Sequence, residues 1–165
     1  MANKDLHRYS VQQALNRTFD VFTVTPTLDA TGAYADADVL FNPTAITGIF
    51  GHKDDACMIR SITIIDADDQ GIASEIYFTT NSTDFGTIND TANIADNTGI
   101  VGAVTMTYFD TANDIDNHRV ASIKDINMVV KANGVDKNLY IASISAGTPT
   151  HTASGLNIKI GVQYI

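Results

Sequence analysis

The stretch MIRSITIIDADDQGIASEIYFTT, residues 58–80, does most to limit what this chain can fold into. Two runs rich in Ile, Thr, Tyr and Phe, residues 58–65 and 72–80, flank the polar turn Asp66-Ala67-Asp68-Asp69-Gln70-Gly71, the pattern of a β-hairpin. On the second run Ile72, Ile76 and Phe78 point one way and Glu75, Tyr77 and Thr79 the other, so one face is expected to be buried. The first run is apolar on both faces, with Met58, Ile62 and Ile64 against Ile59 and Ile65. That places it centrally, with the second run beside it.

The rest of the chain repeats the theme. Residues 18–25, 39–41, 100–109, 120–131, 139–145 and 156–165 read as further strands, the last with the cleanest alternation: Leu156, Ile158, Ile160, Val162 and Tyr164 inward, Asn157, Lys159 and Gln163 outward. Asn42-Pro43 closes the short strand 39–41, and Asn133-Gly134 is a hairpin signal that makes 139–145 the partner of 120–131. Residues 90–97 fit one or two helical turns, with Asn89 or Asp90 as the N-cap and Gly99 beyond the C-terminus. About eight strands at near-regular spacing with one short helix predict an all-β fold, an antiparallel jelly-roll-like β-sandwich. Composition agrees: 20 Thr and 19 Ile stand against 6 Leu, and 18 of the 19 acidic residues are Asp, a balance of strand and turn formers over helix formers.

At 165 residues the chain is long enough for one domain with a substantial core. We expect an N-terminal arm, residues 1–17, and a single β-sandwich domain, residues 18–165. The arm carries Lys4, Arg8 and Arg17 against Asp5, which leaves a charge of −11 on residues 18–165 out of a net −9. Polar and weakly periodic, it is read as a docking arm that orders against a partner, with Lys4, Leu6, Arg8, Tyr9 and Arg17 as its contact residues. An acidic body argues against nucleic acid as partner, because phosphate binding needs a clustered basic surface. No run approaches the 18 apolar residues of a membrane span, and the N-terminus lacks the apolar core of a signal peptide, so synthesis in a cytoplasm is expected.

Signatures of chemistry are sparse. Cys57 is alone at the start of an apolar run, the place of a buried, inert thiol. Residues 66–71 start like a calcium loop, with carboxylates at positions 1 and 3 and Gly at position 6, but Gln70 and Tyr77 stand at positions 5 and 12, where further oxygen ligands are needed. A polar turn is the better reading. Asp110, Asp114 and Asp116, with Asn113, form a second oxygen-rich loop, the better candidate for a cation, although no resident metal is assigned. His7, His52, His118 and His151 are far apart in sequence and read as surface histidines. There is no nucleophile elbow, Walker loop or dinucleotide fingerprint, and Glu75 is the one glutamate, so neither enzyme activity nor a cofactor is expected.

Several phrases together resemble a family of small β-rich proteins encoded among the head genes of tailed bacteriophages. They are Ala33-Tyr34-Ala35-Asp36-Ala37-Asp38-Val39, Ser61-Ile62-Thr63-Ile64-Ile65-Asp66, Ile76-Tyr77-Phe78, Gly99-Ile100-Val101-Gly102-Ala103-Val104, Gly147-Thr148-Pro149-Thr150 and Ser154-Gly155-Leu156-Asn157-Ile158-Lys159-Ile160-Gly161. The resemblance covers approximately residues 30–165 and leaves the arm outside. It implies a virion protein, a capsid decoration or cement protein on the outer head surface. Its partners would be the major capsid protein and copies of itself, as a homotrimer or dimer where capsomers meet. It assigns no catalytic residue. The rival readings are another virion component, such as a tail or head-fibre base module, and a glycan-binding sandwich presenting Tyr9, Tyr34 and Tyr77.

Overall fold

The computed structural model describes residues 19–71, 73–107 and 114–165. Nine strands follow in chain order: β1 (Phe19–Val24), β2 (Val39–Ile46), β3 (Ala56–Asp66), β4 (Ser74–Thr79), β5 (Ile100–Met106), β6 (Asp114–Ile115), β7 (His118–Lys131), β8 (Leu139–Ser145) and β9 (Leu156–Tyr164). They form two antiparallel sheets, in the orders β1-β9-β3-β7-β6 and β2-β8-β4-β5. Pairing is nested: β1 with β9, β2 with β8, β3 with β7 and β4 with β5. One long hairpin with its tip between β4 and β5 leaves this nesting when its strand pairs are rolled alternately into two layers. The β9–β3 and β8–β4 pairings then close each sheet. This is the jelly roll, an all-β sandwich in which the eight long strands wind as two Greek keys.

Alternation along the strands sends one face of each sheet inward. Phe41, Phe50, Ile59, Ile62, Phe78 and Ile141 are among the side chains fully buried between the layers. The β3 sequence keeps its inward face only through a bulge. Register shifts between Ile59 and Ser61, so Ile59 and Ile62, three apart, are both buried, while Met58 turns to the other face from Ile62. Opposite the bulge, Asp125 and Asn127 of β7 adopt φ of 58° and 55°, a conformation Asp and Asn accept more readily than most residues. Ile126 and Met128 thereby still pack on the core. Gly102 of β5 leaves room for the Met128 thioether arriving from the opposite sheet, which a Cβ there would push aside.

The expected hairpins are corrected. β3 and β4 lie in different sheets, and so do β7 and β8; the turn at residues 66–71 is a corner between layers. Only β4–β5 and β6–β7 join sequence neighbours within one sheet. β3 is central as expected, but between β7 and β9. β2 continues through Pro43 to Ile46; it is an edge strand, where a missing N–H costs no ladder bond, and its register shifts on both sides of Phe41. No helix forms at residues 90–97. Thr91 bridges to Asp38, Ile88 to Val39, and Asn89, offered as a helix cap, instead takes φ 63° and donates its side-chain N–H to Asp29 Oδ2 at 2.7 Å.

Residues 80–99 lie over the outer face of the four-stranded sheet and form a second, smaller core with it. Phe85 is 1% exposed and meets Tyr77 edge-on, with ring centroids 5.5 Å apart, beside Val39 and Ala142. Asn42 ties this roof to β2, accepting the Phe85 N–H and donating to the Gly86 carbonyl, each at 2.8 Å. On the outer face of the five-stranded sheet, no described segment does the same.

Candidate functional site

Two places stand apart from ordinary packing. The first is the corner where β3 ends and β9 begins, facing the start of β4 and the end of β8. Register sets it: Asp66 pairs with Leu156 in one sheet and Ser74 with Ser145 in the other. Asp66, 1% exposed, folds the corner around its carboxylate, which accepts N–H bonds from Asp68 at 3.0 Å, Gln70 at 2.9 Å and Gly71 at 2.8 Å. Asp68 reaches across to the β8–β9 loop, where its carboxylate accepts from the Thr152 N–H at 2.7 Å and the Thr152 hydroxyl at 3.0 Å. Gly155 makes room, since a Cβ there would lie 1.7 Å from Asp68 Oδ2.

His151 completes the corner. It is 5% exposed, contrary to the surface position expected, and its Nδ1 lies 3.3 Å from Asp68 Oδ2 and 3.9 Å from Asp66 Oδ1. Tyr34, also buried, stands edge-on to its ring and passes a hydrogen bond to the Leu40 carbonyl. One ligand-capable atom from each of Asp66, Asp68 and His151 falls within a span of 4.8 Å. Beside them is a cavity of about 10 Å³ lined by Asp66, Ser74, Ser145, His151 and apolar neighbours. This is the size of a single small occupant. The sequence signal was Asp66-x-Asp68; nothing in the sequence announced His151, more than eighty residues away.

The oxygen-rich loop expected to be the better cation candidate lies largely outside the described residues. Asp110 lies outside the described residues, as do the arm residues Lys4, Leu6, Arg8, Tyr9 and Arg17. Asp114 opens β6, and Asp116 and Asn117, with φ of 51° and 63°, form the two-residue turn into β7. Two successive positive φ values are what a tight hairpin turn asks of Asp and Asn. The Cys57 thiol is buried, and burial pushes its pKa up to about 11, which keeps it protonated and unreactive near neutrality.

The second place is the outer face of the five-stranded sheet. Register aligns Phe19, Gln163, Met58 and Val129 in one row across β1, β9, β3 and β7, with Val21, Gly161, Ser61 and Lys124 in the next. Phe19, Val21 and Val129 are 64%, 62% and 57% exposed, far more than side chains of their kind usually are. Lys124, Lys159 and Arg60 share this face, Arg60 beside Asp125, so it leans basic on a molecule of net charge −9.

No family model matches the chain, and no curated protein is similar to it. Among solved structures, that of Tomato Aspermy Virus is similar at 10% identity over 99% of this chain and 96% of that one, with a TM-score of 0.39. The Israel acute Paralysis Virus pentamer follows at 11% identity, 96% and 92% coverage and a TM-score of 0.35. A Podospora anserina GH26-CBM35 mannanase is similar at 8% identity, over 90% of this chain and 28% of its own, also at 0.35. These are remote likenesses; the strand order of the chain itself defines the fold.

Proposed function

We propose that this protein is a structural virion component of the capsid decoration, or cement, kind. It binds the major capsid protein on the outer surface of a tailed-phage head and self-associates there as a homotrimer, after synthesis in the host cytoplasm. The observation that carries this reading is the row Phe19, Met58 and Val129 on an open, basic-leaning sheet face, with no described segment over it. A flat, partly apolar face on a packed sandwich is built for docking against another protein. Phe19 of β1, which begins the row, follows closely on residues 1–17 in sequence. We place the capsid contact there, with Lys4, Leu6, Arg8, Tyr9 and Arg17 extending it. Many copies on a repeating shell turn modest contacts into firm attachment.

Glycan binding finds less support. Tyr34 is buried and hydrogen-bonded, and Tyr77 lies under Phe85 with its hydroxyl on Glu75, so neither offers a stacking platform. The test is co-sedimentation with phage heads stripped of this protein, counting bound copies per capsid subunit. Saturation at a fixed ratio set by the lattice is the expected result. A handful of copies per particle points to a tail or vertex component instead, and no binding overturns the proposal.

A further inference from the structure

We propose that Asp66, Asp68 and His151 bind one divalent transition-metal cation of the zinc type, which staples the β3–β4 corner to the β8–β9 loop. The inference does not depend on the virion reading. Two carboxylates and an imidazole are a zinc-type donor set, with bonds of about 2.0–2.2 Å. Tetrahedral geometry at such bond lengths separates the donor atoms by roughly 3.3–3.6 Å. The His151 Nδ1 separations of 3.3 Å from Asp68 and 3.9 Å from Asp66 bracket that range, so small side-chain rotations close the set. A histidine in the set disfavours calcium, which takes oxygen ligands alone.

The surroundings of the cluster fit the same occupant. Ser74, 4% exposed, lines the adjoining cavity. With Asp66, Ser145 and His151 it gives that space a polar wall, which suits a water or ion better than an apolar occupant. The charge balance points the same way. Side chains of Asp66 and Asp68 are 1% and 14% exposed, and the cluster holds no lysine or arginine to offset them. Arg119, across the sheet from Asp66, pairs with Asp69. The N–H and hydroxyl donors on both carboxylates already orient their oxygens, as the supporting groups around a metal's ligands do, and a bound cation would add the missing positive charge.

The test uses the full chain, stripped with a chelator and dialysed, then titrated with Zn²⁺ by calorimetry and thermal unfolding, with Ca²⁺ as comparison. The expected result is one Zn²⁺ per chain and a melting temperature raised by about 5–10 °C once free Zn²⁺ reaches a hundredfold excess over Kd. Asp68→Asn and His151→Gln should each weaken binding at least tenfold, while a His52→Gln, His118→Gln double variant binds as before. Cobalt titrated into the unaltered chain gives a readout that survives any variant that fails to fold: visible d–d bands abolished by equimolar Zn²⁺. No saturable one-to-one binding, equal affinity for Ca²⁺, or full affinity in both single variants that fold would overturn the assignment.

Discussion

The two sheets of this sandwich share one inner face and differ in their outer ones. Residues 80–99 cover the four-stranded sheet, where Phe85, Val39 and Ala142 form a small core of their own. The five-stranded sheet, by contrast, presents Phe19, Val21 and Val129 on its outer side. Phe19 and Val21 lie on the edge strand β1 and Val129 on the length of β7 that β6 does not reach, with the half-buried Met58 between them on β3. The same kind of side chain serves stability under the roof and stays available for contact on the bare face. Substitutions that are alike on paper should therefore separate the two.

The largest effect belongs to the roof. Phe85→Ala removes a fully buried ring and its edge contact with Tyr77, and should cost about 3–4 kcal/mol in urea unfolding. A loss under 1 kcal/mol would mean that residues 80–99 lie on the sheet without adding to the core. Next comes the tether. Asn42→Ala leaves the Phe85 N–H and the Gly86 carbonyl without their side-chain partner and should cost about 1–3 kcal/mol, seen also as faster amide exchange across residues 80–99.

Alkaline titration reads the roof from beneath. Burial, helped by the hydrogen bond to Glu75, pushes the Tyr77 hydroxyl up to about 12 from an ordinary 10.0. The folded state therefore favours the neutral phenol. Its contribution to stability is complete below about pH 10 and is lost as the pH rises towards 12. Ultraviolet titration should show Tyr77 among the last of the six tyrosines to ionise, and Phe85→Ala should move it back towards 10.

How much of this was legible in the sequence follows from the range of each interaction. Strand identity is local, and the alternation in residues 139–145 and 156–165 placed β8 and β9 within a residue of their ends. Pairing is not local in a jelly roll, where nearly every connection changes sheets, so a polar turn between two strands looks the same as a hairpin or as a corner. The β3 bulge was hidden for a related reason: it depends on Asp125 and Asn127 across the sheet, not on residues 58–65 themselves. At the corner, Asp66 and Asp68 were visible as turn residues. Their partner His151 comes from a loop that only the β3–β9 pairing brings near.

The smallest effect on stability is the sharpest test of the comparison. Phe19→Ser and Val129→Ser delete apolar side chains of the kind lost at Phe85, yet both are more than half exposed and should change unfolding by no more than about 0.5 kcal/mol. If the face docks on a capsid, each should still weaken attachment to stripped heads at least tenfold, because a few large apolar contacts carry most of the binding in a flat interface. Stability and binding would then respond in opposite order at the two faces: Phe85→Ala damages the fold, and its effect on attachment follows only from that damage. Should Phe19→Ser destabilise the protein by several kcal/mol, the row is buried in solution, and covering by residues 1–17 or by a second copy becomes the explanation. Sedimentation equilibrium on the full chain, alongside a form starting at residue 18, tells those two covers apart.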